Sequence, residues 1–174
     1  MSEFETTDES GPTDVRVTTV IDAPARAIYE LLADPARHAD FDGSGMVRAA
    51  EGTEPLTEEG QRFVMEMLWT DGEREYRVEN FVTRLKPERA LEWLVADYGQ
   101  PPQGWRWGWT LDPQVDGSTA VTNYCDWGSI TDPEVLAKKN FPVVGAEQVA
   151  ATLRRLEQLV QQEPAGSVPA PEGR

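Results

Sequence analysis

The string Asp40-Phe41-Asp42-Gly43-Ser44-Gly45-Met46-Val47, completed by Glu51, sets side-chain oxygens at the first, third, fifth and twelfth positions of a loop, with glycine sixth. That is the spacing of a twelve-residue calcium loop, where carboxylates and a hydroxyl converge on one hard cation. Its neighbours argue against it. Gly52 and Pro55 forbid an exiting helix, Pro35 interrupts an entering one, and no second loop exists to pair with. No metal is therefore expected, and the string reads as a glycine-rich turn leading into a strand. Nucleophilic chemistry is as poorly provided for. Cys125 is the lone cysteine and is expected to be a buried structural thiol; His38, the lone histidine, is expected at the surface near the end of a short helix. Walker, HExxH, GxSxG and CxxC motifs are absent, and Gly43-Ser44-Gly45 lacks the third glycine of a dinucleotide fingerprint, so no cofactor is expected. Carboxylates fall mostly on outer faces or in loops, which singles out no acid–base pair.

What remains is the chemistry of binding. Trp105, Trp107 and Trp109 alternate, and indoles placed this way either fill a core or wall a cavity in which their N–H groups orient a ligand. Met65 and Met67 occupy a neighbouring inner face, where flexible thioethers fill gaps or adapt to a guest. Asn80 and Asn123 point inward among apolar neighbours, and a buried amide needs partners. Backbone groups satisfy them, or a ligand or cavity water does. The candidate lining is Met65, Met67, Asn80, Trp93, Trp107 and Asn123.

Holding such residues in place requires strands. Val15, Val17, Thr19 and Ile21 alternate with more polar residues, which predicts a first strand. Asp22-Ala23-Pro24 then opens a short helix through Ile28, Leu31 and Leu32, and a second helical turn is expected from Ala36 to Asp40. From Gly45 the period is two: Phe63, Met65, Met67 and Trp69 share one face, as do Tyr76, Val78, Asn80 and Val82, then Leu91, Trp93 and Val95. Asp71-Gly72 and Asp116-Gly117 mark hairpins. One long amphipathic helix is predicted from Pro142 to Gln162, with Ala146, Val149, Ala150, Leu153, Leu156 and Val160 on its apolar stripe. Pro142 is expected in its first turn and Pro164 beyond its end. A stripe of that length needs a wide apolar surface opposite, so a curved antiparallel sheet gripping the helix is the simplest architecture.

With 174 residues the chain has the size of one domain. The expected division is a disordered acidic lead-in at 1–13, one α+β domain at 14–163 and a disordered tail at 164–174. A formal charge of -15 disfavours nucleic acid, whose phosphates require basic patches, and anionic membranes likewise. The start of the chain lacks a basic, apolar leader, no segment is apolar enough for membrane insertion, and a lone cysteine suits a reducing compartment. A cytoplasmic location is expected.

Several strings resemble the START-like or SRPBCC superfamily, the helix-grip fold of Bet v 1 and of proteins termed polyketide cyclase/dehydrase. They are Val20-Ile21-Asp22-Ala23-Pro24 with Leu31-Leu32-Ala33-Asp34-Pro35-Ala36-Arg37-His38, then Phe41-Asp42-Gly43-Ser44-Gly45, Gly60-Gln61-Arg62-Phe63, Asn80-Phe81-Val82, Tyr124-Cys125-Asp126-Trp127 and Leu153-Arg154-Arg155-Leu156. The likeness covers residues 14–162. It implies a seven-stranded antiparallel sheet around the C-terminal helix, two short helices after the first strand, and a cavity for a small hydrophobic or amphipathic molecule, lipid-like or polyketide-like. It also makes the calcium-like string a turn into the second strand. Members of the superfamily include lipid carriers, hormone receptors, aromatases, cyclases and co-chaperones, so the fold alone selects no chemistry. Binding of a hydrophobic small molecule is the primary expectation. A polyketide cyclase or aromatase and a co-chaperone-like interaction module are the alternatives, and ligand identity and oligomeric state stay open.

Overall fold

A computed structural model describes residues 4–52 and 54–162. Alternation governs the sheet. In β2, Asp14–Ile21, the side chains of Val15, Val17, Thr19 and Ile21 are buried while those between them are not. Proline and polar residues then turn the chain into α1, Ala25–Leu32, whose apolar face carries Ile28, Leu31 and Leu32. A single 3-10 turn at Pro35–Arg37, capped by the Asp34 carboxylate on Ala36 N, leads into α2, His38–Phe41. Five strands form a meander: β3 Val47–Glu51, β4 Arg62–Leu68, β5 Glu75–Lys86, β6 Ala90–Asp97 and β7 Arg106–Pro113. The sixth, β8 Thr119–Asp126, returns beside β2. After α3, Pro133–Lys139, the chain ends its described part in α4, Ala146–Gln162.

With β1, Thr7–Asp8, at one edge, all strand pairs are antiparallel, and the sheet order is β1-β2-β8-β7-β6-β5-β4-β3. The eighth strand, β1, comes from the lead-in. The lead-in at 1–13 was expected to be disordered, but within its described part, 4–13, Thr7 and Asp8 pair with Thr18 and Val17. Glu9 N donates to Arg16 O at 2.7 Å, Thr19 Oγ1 donates to Glu5 O at 2.5 Å, and Phe4 packs against the core with the Arg154 guanidinium over its ring. Polar side chains and backbone groups do here what apolar burial does elsewhere, which is why hydrophobic patterning missed it. The expected tail at 164–174 lies outside the described residues.

The long helix is shorter than expected. It begins at Ala146, not Pro142, and its 17 residues rise about 25 Å. Gly145 caps it: the Gly145 carbonyl accepts from Gln148 N and Val149 N, while Gln148 Oε1 accepts from Gly145 N in return. Val149, Leu153, Leu156 and Val160 are buried against β2, β8 and the short helices. Thr152 is buried too, because its hydroxyl accepts from Gly43 N at 2.8 Å. No helix among the described residues is long and apolar enough to cross a membrane.

Candidate functional site

Between the concave face of the sheet, α2 and the segment joining α3 to α4 lies a cavity of about 170 Å³. Apolar cavities of roughly 150 Å³ admit a benzene-sized guest. Strand register builds its wall. Met65 faces Val78 across β4 and β5, Phe63 faces Asn80, Val95 lies beyond Asn80 on β6, Trp93 faces Trp107, and Trp109 faces Asn123. Met65, Met67, Asn80, Trp93, Trp107 and Asn123 all line this one cavity. Met65, Asn80, Trp93 and Asn123 are buried, whereas Met67 and Trp107 are half-buried.

The two amides differ. Asn123 Nδ2 donates to the Gly108 carbonyl at 3.0 Å, so a backbone group on the next strand holds that amide. Asn80 is 4% exposed, and its Oδ1 has no hydrogen-bond partner among the described residues. A buried carbonyl left in that state costs about 1–3 kcal/mol. Among the described residues, the cavity wall thus carries one sealed acceptor left without a partner.

His38 corrects an expectation. It is a buried residue of the cavity wall, packed among Phe41, Phe63 and Trp93 with ring centroids 5.5, 5.8 and 5.6 Å away. The turn at Pro35–Arg37 rotates α2 so that His38 and Phe41 point inward, and His38 Nε2 lies 2.8 Å from Leu32 O. Burial lowers its pKa, opposed by that hydrogen bond and by the charges of Asp34 and Asp42. Cys125 also lines the cavity; burial, with Asp126 and Asp14, pushes its thiol far above the usual range and leaves it a weak nucleophile. Tyr76 is pushed up to about 12, chiefly by burial, and stays a neutral phenol.

Sequence patterning did not reveal three further features of the wall. Phe141 and the next three residues, Pro142, Val143 and Val144, which were expected in the first helical turn, instead run as a strap along the cavity. Phe141 stacks on Trp127 at 5.2 Å. Beside them Lys139 Nζ, 3.2 Å from Asp97 Oδ1, ties the end of α3 to the end of β6 and lies 4.9 Å from the Trp105 ring. At the other side Gly43 is pressed onto α4, where an added Cβ would stand 2.6 Å from Thr152 N. The calcium-like string is spent locally. Asp40 pairs with Arg37, Glu51 with Arg77, and the Asp42 carboxylate accepts from Ser44 N, Ser44 Oγ and Val47 N. Among the described residues, no group of three or more His, Cys, Asp or Glu side chains is placed to hold a metal ion.

Residues 22–161 match the family model described as activator of Hsp90 ATPase homolog 1-like protein. The uncharacterized protein Rv0088 of Mycobacterium tuberculosis is 30% identical over 152 residues, a stretch covering 85% of this chain and 64% of that protein. The chain therefore aligns with less than two thirds of the length of this curated relative. Protein Ms6760 from Mycobacterium smegmatis superposes with a TM-score of 0.65 at 18% identity, over 91% of this chain and 98% of its own. DynU16, a protein in the dynemicin biosynthetic locus, superposes with a TM-score of 0.58 at 18% identity, over 88% of this chain and 49% of its own. At such identities the structural likenesses establish the fold.

Proposed function

The chain belongs to the activator of Hsp90 ATPase homolog 1-like family, within the START-like superfamily of helix-grip domains, and from that membership we propose that it binds a small, largely apolar molecule in its internal cavity. One observation carries the reading: the concave face does not pack solid against α4 but leaves about 170 Å³ walled by indoles and thioethers. An apolar guest there would exchange water contact for aromatic contact and add area burial to the fold. The same wall reports on its own occupancy, because a guest among Trp93, Trp107 and Trp109 alters their emission. Native mass spectrometry of freshly purified protein should reveal a co-purified small molecule, and an aromatic probe should quench tryptophan emission saturably. Absence of both would overturn the reading.

A second reading, an enzyme that closes rings in a polyketide-like substrate, draws on His38, a neutral imidazole buried in the wall. A cavity that folds a flexible chain beside a proton acceptor has the elements of such a reaction. Turnover of a polyketide-like thioester by the wild type and its loss in His38→Gln are the tests. The family description also names activation of the Hsp90 ATPase. For this chain that is a partner-binding role which requires no cavity, and an Hsp90 ATPase assay with added protein tests it directly.

A further inference from the structure

All six tryptophans of the chain line the cavity. Buried indoles usually donate their N–H to a neighbouring acceptor. Here none does: among the described residues, no group accepts from any of the six. Trp93, Trp105, Trp109 and Trp127 are each more than nine-tenths buried, at 8, 6, 4 and 9% exposure. Their N–H groups are nevertheless not sealed, and the free space that all four border is the cavity. Ring packing explains why they stay unanswered. Trp93 and Trp109 lie edge-on to Phe63 and Phe41 at 5.2 and 5.9 Å, and Trp105 and Trp127 pack on Phe141 at 5.8 and 5.2 Å. A phenyl ring offers no lone pair. The donors thus fall into two groups, one beside α2 and one beside the strap.

Side-chain acceptors on the same wall are fewer and partly engaged. The Asp42 carboxylate is taken by Ser44 and Val47, and that of Asp97 by Lys139 Nζ. His38 Nδ1 and Asn123 Oδ1 are left, the Tyr76 hydroxyl serves either way, and Asn80 Nδ2 adds a further free donor. Resting on the cavity reading above, we propose that the indole N–H groups select a neutral aromatic guest carrying acceptor oxygens, carbonyl or ether, at two separate places. A hydrocarbon of the same shape shuts water away from these donors and leaves them unpaired. An anion would enter a wall that already holds Asp42 and Asp97, on a chain of formal charge -15.

The test is isothermal titration calorimetry of the full chain with tetralin, 1-tetralone and 4-chromanone, bicyclic molecules of one shape with no, one and two acceptor oxygens. Each oxygen makes the molecule easier to keep in water, so a wall without donors prefers tetralin and binds 4-chromanone least. The expected order is the reverse, each oxygen tightening binding at least about threefold. Nitrogen-15 spectra of the indole N–H groups provide a second readout on the unaltered chain. In them 4-chromanone should move at least two of the six signals downfield, as hydrogen-bonded N–H groups do, and tetralin should move none that way. Tetralin binding as tightly as the two ketones, or ketone binding with no indole signal moved downfield, overturns the donor array and leaves the cavity reading standing. Failure of all three probes to bind defeats both.

Discussion

His38 and Trp93 lie nearly parallel, their ring centroids 5.6 Å apart and their planes 20° from each other, with Phe63 edge-on to both. An imidazole occupies a place suited to a phenyl ring, and protonating it there removes hydration from a charge. Burial accordingly lowers its pKa, against the Leu32 hydrogen bond and the charges of Asp34 and Asp42. With the folded value below the unfolded value of about 6.5, the unfolded chain binds more protons between the two. This part of the stability is complete above about pH 6.5 and is lost as pH falls toward the folded value. Urea midpoints measured from pH 8 to 5 should fall below about pH 6.5, and His38→Phe should flatten that fall.

The two inward amides should respond oppositely to the same change. Asn80→Leu removes an unpartnered buried oxygen and should raise stability by about 1 kcal/mol, whereas Asn123→Leu deprives the Gly108 carbonyl of its side-chain donor and should lower it by about as much. Chemical denaturation of both variants without added ligand checks the signs.

Gly43→Ala should destabilise by about 1–3 kcal/mol, since the new methyl meets Thr152 N at 2.6 Å and Gln148 O at 2.7 Å, backbone atoms of α4 that cannot swing aside. Scanning calorimetry measures it. Thr152→Val, which removes only the hydroxyl bonded to Gly43 N, should have the smaller effect.

Inner strand faces are legible because a period of two, sustained over four positions as in Tyr76 to Val82 or Trp105 to Leu111, leaves one assignment of faces. All six residues chosen on that basis meet in one cavity. Short or unpatterned segments offer no period to measure. His38 sits on a helix of four residues, and its burial is decided by Phe41, Phe63 and Trp93, which come from three elements. The start of α4 misleads because Pro142 suits a first turn, while the reciprocal bonds of Gly145 and Gln148 lie three residues further on. Lys139 and the strap after it carry no pattern at all. Their position depends on Asp97, which lies far away in the sequence.

Lys139→Met should speed the release of a bound aromatic probe with little change in stability. The Lys139–Asp97 pair is partly exposed, so its loss should cost under about 1 kcal/mol, but it ties α3 to β6 in the cavity wall. Stopped-flow displacement measures the release rate, and an unchanged rate would show that access runs elsewhere.

The open sheet has two lateral borders, and the acidic residues ahead of β2 cover one of them. Thr7–Asp8 takes up backbone groups of β2 that would otherwise face outward beside the exposed side chain of Val20. Uncovered, that border is a template on which a strand of another molecule can add, the usual first step toward aggregation. The lead-in is therefore a built-in solubility device: its carboxylates cap the border with charge, and a chain trimmed to Asp14 would self-associate as its concentration rose.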